Sequence, residues 1–150
     1  MNEKITALIV DDEPLARKFI RRMLEKHPEV EIVGECGNGR EAVTAVLEKK
    51  PALVFLDIQM PEMDGFTMIE TLGIENLPNI VFVTAYEQYA IRAFEIHALD
   101  YLLKPFDQAR FEKAMKHVRE KFADRRQNQS EQKQIAALLE NVKQKPRFLD

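Results

Sequence analysis

The chain has 150 residues, 45% hydrophobic and 31% charged, enough for one full core and too few for two. Its 22 lysines and arginines against 25 aspartates and glutamates leave a formal charge of −3, which offers no general electrostatic attraction to nucleic acid. No apolar run approaches the roughly 20 residues that span a bilayer, the start Met1-Asn2-Glu3-Lys4 has no secretory pattern, and the lone Cys36 excludes an internal disulfide, so a cytoplasmic protein is expected.

In chain order, Ala7-Leu8-Ile9-Val10 predicts a first strand, apolar on both faces as suits a strand covered by helices on each side. Pro14, after Asp11-Asp12-Glu13, fits a first helical position, and Leu15, Phe19 and Met23 continue at helical spacing. A weaker run, Glu31-Ile32-Val33, predicts a second strand; Asn38-Gly39 marks a turn or cap before the helical set Ala42, Val43, Val46 and Leu47. Leu53-Val54-Phe55-Leu56 is a third strand, Asp64-Gly65 a second turn or cap, and Phe66, Ile69 and Leu72 a third helix. Ile80-Val81-Phe82-Val83 and Tyr101-Leu102-Leu103 complete the strands, separated by a helix carrying Ala90, Ala93 and Phe94. A last helix carries Phe111, Met115, Val118 and Phe122. Beyond about Glu120 the composition turns to Gln, Arg and Lys, and the seam meets Arg125, Gln129 and Gln132 before Ala136 and Leu139. A long helix without a stable coiled coil is expected there. Ile135, Leu138, Leu139 and Val142 form a short apolar stripe before Pro146, and the terminal Phe148 and Leu149 lead us to expect a sequence cut short.

Strands alternating with helices predict an α/β fold, a doubly wound parallel sheet whose ligands bind beyond the carboxyl ends of the strands. Acidic residues fall there: Asp11 and Asp12 after the first strand, Asp57 after the third, with Thr84 ending the fourth and Lys104 following the fifth. Carboxylates about 4 Å apart repel by roughly 4 kcal/mol at an effective dielectric near 20. A divalent cation turns that repulsion into binding, and an oxygen-only donor set without Cys or His favours Mg²⁺. A carboxylate can serve as a nucleophile toward phosphorus; Lys104 can neutralise charge and Thr84 can donate a hydrogen bond to a new phosphoryl oxygen. Each residue also has a plainer reading. Asp11, Asp12 or Glu13 could cap a helix, Asp57 could be a turn aspartate before Met60-Pro61, Thr84 an N-cap, and Lys104 a solvated charge beside Pro105. Their joint placement after four different strands is what the plainer readings leave unexplained.

The set Val10-Asp11-Asp12-Glu13, Leu56-Asp57-Ile58-Gln59-Met60-Pro61-Glu62-Met63-Asp64-Gly65, Val83-Thr84-Ala85 and Tyr101-Leu102-Leu103-Lys104-Pro105-Phe106 resembles the receiver domains of bacterial two-component response regulators. The resemblance implies a flavodoxin-like five-stranded sheet of order 2-1-3-4-5, a receiver over residues 1–122 and a helical linker over 123–150. It implies that Asp57 accepts a phosphoryl group from a sensor histidine kinase. Asp12, Asp57 and the Gln59 backbone carbonyl would hold Mg²⁺, with Asp11 acting through water, and Lys104 would contact the phosphoryl group. It further implies a cis Lys104-Pro105 peptide, a switch pair of Thr84 and Tyr101, tuning of phosphoryl lifetime by Gln59 and Tyr86, and homodimerisation through the fourth helix, fifth strand and fifth helix. Ile91, Phe94, Ile96 and Leu99 are candidates for that surface, although such residues are more often core. Segment 89–106 resembles receivers of LytTR-type regulators, whose DNA-binding domain would follow the linker and is absent here. Alternatives are a stand-alone receiver acting through protein contacts, a phosphorylation-independent module, and a Mg-dependent phosphatase. Against the phosphatase, Gln59 stands where haloacid-dehalogenase-like enzymes carry a second acid two residues after the nucleophile.

Overall fold

The computed structural model describes residues 4–144. The readings placed on residues 145–150, and on the side chains of Arg125, Gln129, Gln132, Ala136 and Val142, lie outside what is described. The chain forms two compact units, Met1–Ala114 and Met115–Asp150.

Five parallel strands, β1 (Ile5–Val10), β2 (Val30–Cys36), β3 (Leu53–Leu56), β4 (Asn79–Thr84) and β5 (Asp100–Leu103), form one sheet of order β2-β1-β3-β4-β5. The helices are α1 (Pro14–Leu24), α2 (Gly39–Lys49), α3 (Gly65–Leu72), α4 (Ala90–Glu95) and α5 (Gln108–Gln144). This is the expected doubly wound, flavodoxin-like order. The central strand β3 is buried at every residue, which is why its sequence is apolar without alternation. Edge strand β2 is mostly half-buried, and the polar residues this allows explain its weak hydrophobic signal.

Local chemistry sets the helix starts. Pro14 opens α1, where its missing N–H costs nothing. The Asn38 and Asp64 side chains accept hydrogen bonds from Glu41 N (2.9 Å) and Thr67 N (2.8 Å), capping α2 and α3. One face of α1 departs from its apolar spacing: Ile20, Met23 and Leu24 are buried, whereas Leu15 and Phe19 are exposed. Phe19 instead meets Phe106 edge to face, with ring centroids 5.5 Å apart. On α3, Phe66, Ile69 and Leu72 are all buried, as their spacing predicts. In α4 only Ala93 is buried, and Ile91 and Phe94 stand exposed.

The helix α5 runs unbroken to Gln144, the long helix expected from composition, and Ile135, Leu138 and Leu139 on it are exposed. Cys36 is buried at the end of β2, and burial pushes its thiol up to about 11, consistent with an inert residue. Among the described residues, no helix is long and apolar enough to cross a membrane.

Candidate functional site

The sheet's own hydrogen bonding continues one residue past the strands and fixes the backbone of the site. Asp11 N donates to Cys36 O (3.0 Å), Asp57 N to Val10 O (2.9 Å) and Lys104 N to Thr84 O (2.7 Å). Residues 93 positions apart are thereby brought to contact: Lys104 Nζ lies 2.8 Å from Asp11 Oδ2 and 3.5 Å from Asp57 Oδ2. The peptide between Lys104 and Pro105 is cis, as the resemblance implies.

The plainer readings of these residues do not describe their contacts. Asp11 accepts from Glu13 N (3.0 Å) as an Asx turn, but the α1 N-cap position is Glu13, whose side chain makes no capping bond. Arg17 steadies the same turn by donating to the Asp11 carbonyl at 2.6 Å. Lys104 is paired rather than solvated. Asp57 is buried, with 7% of its surface exposed.

Burial governs the chemistry of Asp57. Loss of hydration pushes its carboxyl up to about 6, and the Asp11 charge adds to this; Lys104 and the N–H dipoles of Gln59 and Ile58 pull the other way. For Lys104, burial opposes the ammonium, but the hydrogen bond it donates to Asp11 and the charges of Asp57 and Asp11 outweigh it and hold the pKa above the usual lysine value. One ammonium thus faces two buried carboxylates, with the exposed Asp12 beside them.

Asp11, Asp12 and Asp57 bring one carboxylate oxygen each within 4.8 Å of one another. Asp57 Oδ1 is buried without a hydrogen bond of ordinary geometry among the described residues. An unpartnered buried oxygen inside an all-oxygen cluster fits a hard divalent cation, which supplies the missing partner and offsets the repulsion.

Around this pocket, Thr84 is fully buried and its Oγ1 accepts a long hydrogen bond from Tyr86 N (3.4 Å). Tyr101 is half-buried against Phe82, with ring centroids 6.0 Å apart, and its hydroxyl donates to the Tyr86 carbonyl. The Thr84 and Tyr101 side chains therefore meet the same loop, at Tyr86. Gln59 and Tyr86 are exposed at its edge.

Two features escaped the sequence reading. The Gln59 amide donates to the Tyr89 hydroxyl at 2.9 Å. Buried His27 has Glu29 Oε1 at 3.2 Å from Nδ1 and Glu112 Oε2 at 2.7 Å from Nε2. Tyr89 lies 30 residues from Gln59 and Glu112 lies 85 from His27, so no local pattern signals those two contacts.

Residues 7–116 match the family described as response regulator receiver domain. The chain is 47% identical over 145 residues to the transcriptional regulatory protein BtsR of Escherichia coli (strain K12), covering 97% of this chain and 57% of that protein. It thus spans little more than half the length of this curated relative. Its fold resembles the REC domain of AraT, a response regulator from Geobacillus stearothermophilus, with a TM-score of 0.74 and 33% identity, covering 84% of this chain and 99% of that one. It also resembles a chain of the CheX-CheY complex with BeF3 and Mg from Borrelia burgdorferi, with a TM-score of 0.69 and 25% identity over 77% of this chain and 90% of that one. The chain belongs to the response regulator receiver domain family, and is a receiver rather than a turnover enzyme.

Proposed function

We propose that this receiver accepts a phosphoryl group on Asp57 from a sensor histidine kinase, in a Mg²⁺-dependent reaction, and that the modification resets the Thr84 and Tyr101 pair. The observation that carries this reading is the buried Asp57 carboxylate, its Oδ1 without a hydrogen bond of ordinary geometry among the described residues and its Oδ2 3.5 Å from Lys104 Nζ, with two further aspartates around it. Asp12, Asp57 and the Gln59 carbonyl would hold the ion, and Asp11 would act through water. The ion supplies charge neutralisation when bound. The Borrelia complex, which contains BeF3 and Mg, supports this assignment by analogy.

In the transfer, an Asp57 carboxylate oxygen forms a bond to phosphorus as the donor's bond to phosphorus breaks, and the donor group leaves with that electron pair. The Lys104 ammonium counters the charge on the phosphoryl oxygens without needing to move a proton. Thr84 Oγ1 accepts from Tyr86 N, so its own hydrogen is left to donate to a phosphoryl oxygen. That bond exists only in the modified state and so can bias the conformation of the loop Tyr101 contacts.

We assign the receiver to residues 1–122 and a helical linker to 123–150, and the output to LytTR-type transcription control in a longer, cytoplasmic protein. The likeness of segment 89–106 and the transcriptional role printed for BtsR support the output. Incubation with Mg²⁺ and acetyl phosphate should add one phosphoryl mass to the wild type and none to Asp57→Ala. Modification that persists in Asp57→Ala would sink the assignment.

A further inference from the structure

At the rim of the pocket, the side chain two residues after Asp57 is not free to face it. Gln59 Nε2 donates to Tyr89 Oη at 2.9 Å. The Tyr89 ring is held edge-on by Phe66 at 5.8 Å and by Tyr86 at 6.2 Å between centroids, so the phenol is a fixed acceptor rather than a swinging one. Tyr89 ends the 3-10 turn Glu87–Tyr89 that leads into α4. The same loop receives the Tyr101 hydroxyl at the Tyr86 carbonyl.

We infer that Tyr89 is a positioning residue for the lifetime of the phosphoryl group: it tethers the Gln59 amide to the β4–α4 loop and keeps it off the water that attacks phosphorus. The inference rests on Asp57 being the phosphoacceptor. In hydrolysis, a water oxygen forms the new bond to phosphorus and the bond from phosphorus to the Asp57 oxygen breaks. The carboxylate leaves with the electron pair, and the protons of the water pass to the released phosphate and to solvent. A free carboxamide two residues from Asp57 can both donate to a phosphoryl oxygen and accept from that water, helping to align it. Bonded to Tyr89, the carboxamide has one of its two N–H donors committed to the phenol and its orientation held by that bond. Because Tyr101 holds the loop that carries Tyr89, movement of the switch tyrosine would loosen the tether and couple signalling state to lifetime.

Tyr89→Phe removes only the acceptor oxygen and keeps the ring contacts. Proteins loaded with acetyl phosphate and Mg²⁺ are followed by intact mass through decay, in a cycle of wild type, Tyr89→Phe, Gln59→Ala and the double variant. Loss of one neutral hydrogen bond predicts decay faster by about two- to ten-fold in Tyr89→Phe, and no further effect of that change in the Gln59→Ala background. Independently of any phosphoryl chemistry, the Gln59 side-chain amide resonance of the metal-free, unmodified protein should move in Tyr89→Phe. Unchanged or slower decay, an equal acceleration with and without Gln59, or an unmoved resonance would overturn the tether. A wild type that takes up no phosphoryl group would instead reject the Asp57 reading, and the lifetime claim with it.

Discussion

Asp57 combines two costs that a passive residue would not retain: a carboxylate taken out of water, and an oxygen left without a partner. Its carboxyl, ordinarily near 3.8, is pushed up to about 6, chiefly by burial. Because the folded form binds its proton more tightly than the unfolded form, this group stabilises the metal-free fold below pH about 4, and that contribution is lost as pH rises through about 6. Asp57→Asn keeps the shape and removes the charge, so it should be more stable than wild type in EDTA at pH 7.5, by up to about 3 kcal/mol, with the difference closing near pH 4. Urea denaturation at both pH values checks the sign; curves that keep the same separation at both would refute it. Added Mg²⁺ should raise wild-type stability and affect Asp57→Asn less, by linkage. At Tyr86, the exposed ring at the pocket edge is expected to hinder attacking water, so Tyr86→Ala should lose its phosphoryl group faster than wild type. Equal decay rates, measured by intact mass, would reject that role.

Among the elements, the start of α3 shows how tightly the site is built into its scaffold. Gly65 N donates to Ile58 O at 2.8 Å, and a Cβ on Gly65 would stand 2.8 Å from the Asp57 carbonyl oxygen and 3.2 Å from Ile58 Cα. Those neighbours are backbone and cannot rotate away. Gly65→Ala should therefore destabilise the fold by about 1–3 kcal/mol and slow phosphorylation by shifting the strand end that carries Asp57; chemical denaturation and the rate of mass gain with acetyl phosphate read the two effects. A stability and rate equal to wild type would show that α3 can retreat. The elements themselves were legible because burial on both faces forces continuous apolar runs in β1, β3 and β4, and because Pro14, Asn38 and Asp64 punctuate the helix starts. The site was legible for a related reason: a parallel sheet gathers the residues after its strands, so Asp11, Asp57, Thr84 and Lys104 could be placed together from their order alone. Side-chain pairings were not. Leu15 and Phe19 have the spacing of a buried face yet are exposed, since spacing specifies a face and not what covers it. Tyr89 reads as an ordinary aromatic before a helix until its hydroxyl is seen against Gln59.

For the whole molecule, the question is how a modification at one rim of the sheet reaches another protein. Exposed Ile91 and Phe94 lie on α4, which follows directly on the loop contacted by Tyr101, so under the proposed switch a displacement of that loop would be conveyed to an apolar surface. Large exposed apolar side chains close together mark a candidate interface, and dimerisation there is the proposed output of this receiver. Complete conversion from a 1:99 to a 99:1 balance requires about 5.5 kcal/mol of differential stabilisation. A single new hydrogen bond from Thr84, even to a charged phosphoryl oxygen, contributes only about 1.5–3 kcal/mol. The expected response is therefore graded. With Mg²⁺ and beryllofluoride, a phosphoryl mimic, sedimentation velocity should show partial dimerisation that grows with protein concentration. Phe94→Asp places a charge on that surface and should abolish the shift, while its uptake of phosphoryl from acetyl phosphate should stay at the wild-type level because the residue 94 side chain stands exposed on α4. If Phe94→Asp dimerises as wild type does, the signal leaves the receiver by another face; if it also fails to take up phosphoryl, α4 supports the pocket itself rather than reporting on it.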